Sequence, residues 1–162
     1  MAMLEVRVDG LALDMTTNSP VVILKPVNME KVLPIWIGHS EAWAIAMELS
    51  GIGSKRPMTH DLLKTVIGTL AATVEKVEIT ELKEQTFYAR VVLHSDSQVY
   101  AIDARPSDSI ALALKVGAPI YAEEELFNLK DQDQPTDLSN DPETLADRLK
   151  KINPEDFGKY SL

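Results

Sequence analysis

Cysteine is absent from the 162 residues, which excludes disulfides, thiolate-bound zinc and a cysteine nucleophile. No apolar run comes near the ~20 residues that a bilayer-spanning helix needs. The opening "MAMLEVRVDG" lacks the basic-then-apolar order of a secretory signal, so a cytoplasmic protein with no membrane segment is expected. Aromatics are sparse at 6%, and the seven glycines build no phosphate-cradling loop. The nucleotide, metalloprotease and serine-hydrolase signatures (G-x-x-x-x-G-K-[ST], G-x-G-x-x-G, H-E-x-x-H, G-x-S-x-G) are all missing. Positive charge is scarce too. At a net charge of −9, the chain shows no basic face of the kind that holds long nucleic acids passively.

What is present is ordinary globular material, 45% hydrophobic and 25% charged, long enough for one domain and a tail. Residues 1–122 carry 11 Lys/Arg against 14 Asp/Glu, whereas residues 123–162 carry 5 against 11. The reading is a domain over 1–125 and an acidic extension over 126–162. Within that extension "PETLADRLKKI" (142–152) has the spacing of one amphipathic helix.

Alternating or continuous β-branched runs predict strands over 4–14, 20–26 and 31–38, then over 73–82, 86–95 and 98–104, with a short last strand over 118–122. "HSEAWAIAMELSG" predicts a helix capped by Ser40, stopped by Gly51, and apolar enough all round to be buried on most sides. Thr59 is the expected cap of a second helix, whose Leu62, Leu63, Val66, Ile67 and Leu70 recur at helical spacing. A third begins at "SDSIALALKVG" (107–117), which matches "SEAWAIAMELS" (40–50) position by position in residue type. Three predicted strands precede each. The expectation is an α+β fold: mixed or antiparallel sheets with packed helices, built on a duplicated βββα unit.

Three clusters could carry chemistry. In "IDARPSDS", Asp103, Arg105, Ser107 and Asp108 crowd a strand end and a helix start. A guanidinium fork suits phosphate, and flanking carboxylates could hold magnesium. A salt-bridge network pinning strand to helix explains the same residues, and the local sequence favours it. His60 and Asp61 share a helix's first turn, where a histidine beside a carboxylate can serve as base or ligand; a capped helix with an exposed histidine is the bland alternative. His39 and Glu41 form the third, with His39 read as a surface residue. Trp36 and Trp43, both in apolar runs, read as core rather than as base-stacking platforms.

Taken together, "LPIWIG" followed by Glu41, "RPMTHDLL", "TFYA" and "DARPSDSIALALKVGAPIY" resemble the bifunctional nuclease domain family, in order and at compatible spacing over residues 4–125. The resemblance implies a small α+β protein that cleaves RNA and DNA. Its recurring polar positions fall on Glu41, Arg56, Thr59, His60, Asp61, Asp103, Arg105, Ser107 and Asp108. On that implication His60, Asp61, Arg105 and Asp108 are catalytic, and Arg56 and Ser107 bind substrate. Asp103, Asp108 and Glu41 would hold magnesium or manganese, and the chain would act as a homodimer. The competing reading is a non-enzymatic module, dimeric, that binds a small ligand or anion or serves protein interaction.

Overall fold

The computed structural model describes residues 2–128; the acidic extension from residue 129 on, with its expected helix, lies outside them, while Leu126 and Phe127, assigned to that extension, are buried in the main core. The chain forms β1 (Met3–Asp14), β2 (Ser19–Pro26), β3 (Leu33–Trp36), α1 (His39–Ser50) and α2 (Thr59–Thr69). It continues through β4 (Thr73–Lys83), β5 (Thr86–Ser95), β6 (Gln98–Ala104), α3 (Pro106–Val116) and β7 (Ile120–Glu123), and closes on a 3₁₀ turn (Glu124–Asn128). One seven-stranded mixed sheet runs in the order β3-β2-β1-β7-β4-β5-β6. All neighbours are antiparallel except β7 and β4, which run parallel. The fold is α+β, as the strand and helix patterns predict. Two three-stranded meanders flank β7 in opposite senses, an arrangement compatible with a doubled βββα unit.

The apolar patterns explain the layering. In β2, Val22 and Leu24 face the main core while Val21 and Ile23 face a second, smaller cluster on the other side, so an unbroken apolar run is buried on both faces. The β1–β2 register slips between Val8 and Gly10, a β-bulge at a glycine whose φ is 152°. The extra residue changes which face the side chains take. Val6 and Leu11 therefore share the main core, while Ala12 joins the smaller cluster. There Trp36 Nε1 donates to Asp14 Oδ2 at 2.9 Å and Thr16 N donates to Oδ1 at 3.0 Å, which satisfies a carboxylate only 1% exposed.

On the main-core face, α1 packs over β2 and α3 over β4 and β5, with α1 and α2 both against α3. Ile45, Ile110 and Leu112 are buried there against Leu24, Val77 and Ile79. Both α1 and α3 end at a left-handed glycine (Gly51 φ 71°, Gly117 φ 73°), the ending anticipated at Gly51. Their starts need correction. The residues flanking the first turns are Gly38, Met58 and Arg105 rather than Ser40, Thr59 and Ser107, so each helix begins earlier than its Ser or Thr suggests. α1 is not buried on most sides either: Ala42, Ile45 and Ala46 are, while Trp43 and Met47 are half-buried and Leu49 is exposed. On α2 only Ile67 joins the core; Leu62, Leu63, Val66 and Leu70 are solvent-exposed, as is nearly all of edge strand β6.

Candidate functional site

The first turns of all three helices open on one cleft of about 940 Å³. α1 contributes His39 and Glu41, α2 contributes His60 and Asp61, and α3 contributes Asp108 beside Arg105. Each helix start presents unpaired backbone N–H groups and the positive end of its dipole, so the fold concentrates weak positive potential at this spot without a basic surface.

Arg105 is the hub. Its Nε and Nη2 donate to Asp108 Oδ2 and Oδ1 at 2.9 and 3.2 Å, and Nη1 lies 3.1 Å from Glu41 Oε1. The two-pronged pairing with Asp108 fixes the plane of the guanidinium, yet its side chain remains 64% exposed to the cleft. Glu41 reaches it by folding back over its own helix start. A Cβ built on Gly38 would sit 2.1 Å from Glu41 Oε2, so the glycine there makes room for the carboxylate. His60 Nε2 lies 3.1 Å from Asp108 Oδ1, so a single carboxylate joins the imidazole to the guanidinium. Burial pushes the Asp108 carboxyl up, but Arg105 and His60 outweigh it and hold it below the usual carboxylate value. Asp108 in turn raises Arg105, with Glu41 adding to the effect.

A second network closes the far end. Lys115 Nζ, on α3, pairs with both Asp61 of α2 and Glu48 of α1. Asp61 also accepts from Met58 N at 2.9 Å. The bond from Lys115 is the main reason the Asp61 carboxyl lies below its usual value. Burial lowers the Lys115 ammonium, but its two carboxylates outweigh that and raise it. Asp61 therefore holds a helix start and a lysine, and the histidine's partner is Asp108 instead.

Of the residues singled out in the sequence, the cleft gathers Glu41, His60, Asp61, Arg105 and Asp108. Thr59 lines it as well. Arg56 is exposed and Ser107 buried, and neither lines the cleft. Asp103 stands opposite Arg90 in the β5–β6 ladder, whereas its neighbour Ala104 packs on the main core. Strand alternation therefore turns it to the far face of the sheet, where Arg90 bonds Glu78. Glu41 and Asp108 meet on the Arg105 guanidinium, but Asp103 is turned to the far face of the sheet, so the three carboxylates expected to share magnesium or manganese are not grouped. Among the described residues no group of three His, Asp or Glu side chains is placed to hold an ion. The arrangement does not fit a preformed metal centre.

His39, read as a surface residue, is exposed and lines the cleft; Trp43, read as core, and Lys55, which the sequence did not single out, line it as well. His39 Nε2 donates to Asn18 O at 3.0 Å, tying the α1 start to the β1–β2 turn. The signal for Trp43 and Met47 was their spacing of four, which puts two large side chains on one stripe of α1.

A mixed α+β domain whose helix starts meet over an arginine–carboxylate–histidine chain is the class that fold and site define. Residues 22–134 match the bifunctional nuclease domain, and the chain belongs to that family. An uncharacterized protein of Mycobacterium tuberculosis is 40% identical over 162 residues, spanning 94% of this chain and 97% of that one. Bifunctional nuclease 1 of Oryza sativa subsp. japonica is 24% identical over 110 residues, covering 66% of this chain and 33% of the rice protein. The bifunctional nuclease of Oryza minuta matches to the same extent. Among the described residues no helix is long and apolar enough to cross a membrane.

Proposed function

We propose that this chain hydrolyses phosphodiester bonds of RNA or DNA at the Arg105–Asp108–His60 cleft. The observation that carries the reading is the shared carboxylate: Asp108 orients a guanidinium and an imidazole toward one cleft at three converging helix starts. With Nε2–H donated to Asp108 Oδ1, Nδ1 of the uncharged ring is left to take a proton from the attacking water and return it to the leaving oxygen. Arg105 binds the phosphate and stabilises the charge that builds on its oxygens in the transition state. Membership of the family and the named plant relatives support the same chemistry.

Magnesium or manganese is implied by the resemblance alone. The test is cleavage of labelled single-stranded RNA and DNA by purified protein, in magnesium, manganese or EDTA. Arg105→Ala and His60→Ala, prepared identically, should each lose activity about 100-fold or more while keeping the wild-type circular dichroism. Equal cleavage by all three proteins would assign the activity to a contaminant.

A second reading, a non-enzymatic module that binds a small ligand or anion without turnover, is favoured by the pairing of Arg105 and Lys115 with carboxylates already in place, which gives each of these charges a structural role in place of a catalytic one. It predicts a higher melting temperature with phosphate or nucleotides and no cleavage. We extend the proposal to a cytoplasmic protein that self-associates, supported by the lack of cysteine and by the exposed apolar residues of α2 and β6. Light scattering that returns a monomer mass across micromolar concentrations would refute the self-association.

A further inference from the structure

The cleft has two unlike walls. One is the charged chain of Glu41, Arg105, Asp108 and His60; the other is apolar, made by Trp43 and Met47 on α1 with Ile52, Pro57 and Met58 from the connection to α2. A phosphate needs no apolar wall, whereas the half-buried Trp43 indole and Met47 thioether leave apolar surface open to the cleft beside the charged chain. We propose that this wall is a nucleobase-binding subsite with Trp43 as its stacking platform, which makes the substrate an unpaired nucleotide within a single strand. The inference rests on the reading that the Arg105 side takes a phosphodiester, and it adds what the neighbouring surface binds.

Three observations point the same way. The volume, about 940 Å³, lies at the upper end of small-ligand cavities and admits one or two nucleotides. A duplex keeps its base faces stacked inside itself and offers only phosphates and groove edges, so it gains nothing from an indole plane. With a net charge of −9, the chain also lacks the basic face that would draw a duplex in. Single-strand binding needs less charge where aromatic stacking supplies part of the affinity.

Trp36 is bonded to Asp14 in the smaller apolar cluster and does not line the cleft, so fluorescence changes separate the two indoles once Trp43 is replaced. The experiment titrates full-length protein against a fluorescein-labelled phosphorothioate oligothymidine, the same oligomer carrying abasic sites, and the matching duplex, reading affinity for every variant from the anisotropy of the label and following tryptophan emission in the wild type. Wild type should quench with the single strand, and Trp43→Ala should bind it roughly 10- to 100-fold more weakly, the range a base–aromatic contact supplies. Trp43→Phe should stay within a few-fold of wild type, which guards against a folding defect in the alanine variant. The abasic oligomer should bind wild type and Trp43→Ala alike. Equal affinity for abasic and intact strands, tighter binding of the duplex, or no effect of Trp43→Ala would each overturn the subsite. Cleavage that proceeds in Trp43→Ala with unchanged KM would also overturn it and leave the nuclease reading standing. Base-dependent binding through Trp43 with no cleavage in any metal would support the subsite and sink the nuclease reading instead.

Discussion

Replacing Lys115 by methionine isolates the energetics of the helix layer. Lys115 Nζ joins α3 to Glu48 of α1 and Asp61 of α2, and the three side chains are 18%, 22% and 31% exposed. Breaking a fully buried ion pair by removing one partner costs about 3–5 kcal/mol, whereas an exposed pair contributes about 0.2–1. Partial burial places Lys115→Met between these, at about 2–3 kcal/mol, chiefly because two carboxylates are left facing each other. At about 4 °C per kcal/mol for a domain of this size, the melting temperature should fall by about 8–12 °C at pH 7 and low salt. Adding Asp61→Asn should recover about half of that, since one uncompensated charge goes. The pH dependence has a definite sign. Lys115 is raised in the folded state, so its contribution is complete below its ordinary value of 10.5 and is lost only as the pH climbs through the higher folded value. At the acid end Asp61 protonates, so wild type and variant should begin to converge as the pH falls below 3.8, its ordinary value, and meet once the pH has passed its lower folded value. A shift under 2 °C, or a double variant that is less stable than Lys115→Met, would refute the reasoning.

Asp14→Ala should cost about 2–4 kcal/mol in urea titrations, because two donors, Trp36 Nε1 and Thr16 N, lose their acceptor at a site 1% exposed. Burial raises the Asp14 carboxyl but its hydrogen bonds outweigh that and lower it, as the partners of Asp61 and Asp108 lower theirs. All three therefore stabilise the fold above their ordinary 3.8 and lose that contribution as pH falls through the lower folded values, so a urea midpoint that stayed flat from pH 6 to pH 3 would contradict the pairing. Gly38→Ala should displace Glu41 from Arg105 and cut cleavage more than it cuts stability, an effect of under about 1 kcal/mol on unfolding because the contacting atom ends a flexible side chain.

Much of the fold was legible because its strands are long and patterned: β4, β5 and β6 fall within a residue or so of where alternation puts them. The helix starts were not, since Ser40 is a good cap by type but Glu41 folds back on Gly38 and the helix begins before it. Periodicity located α2 but could not say that its Leu62, Val66 and Leu70 stripe would meet no other part of the described chain core. Asp103 could have been placed correctly by counting: Tyr100, Ile102 and Ala104 alternate onto one side of β6, so Asp103 must point to the other. The His60–Asp108 contact spans 48 residues, and no local pattern announces it. Trp43 was misjudged for the opposite reason, because an apolar neighbourhood in sequence became one wall of an open cleft.

The position of β7 has a consequence for how the molecule comes into being. This four-residue strand, near the end of the described chain, is the seam between the two meanders, pairing with β1 on one side and β4 on the other. During synthesis, each meander can zip from its own hairpins as it leaves the ribosome, because those pairings are local. The two halves of the sheet stay unpaired with each other until residues beyond Glu123 have emerged, more than a hundred residues after β1 was made. Until then the facing edges of β1 and β4 are open and able to pair with another chain. A nascent chain stalled at Gly117 should therefore be the aggregation-prone species, and a late-supplied β7 peptide should rescue it by inserting into the gap.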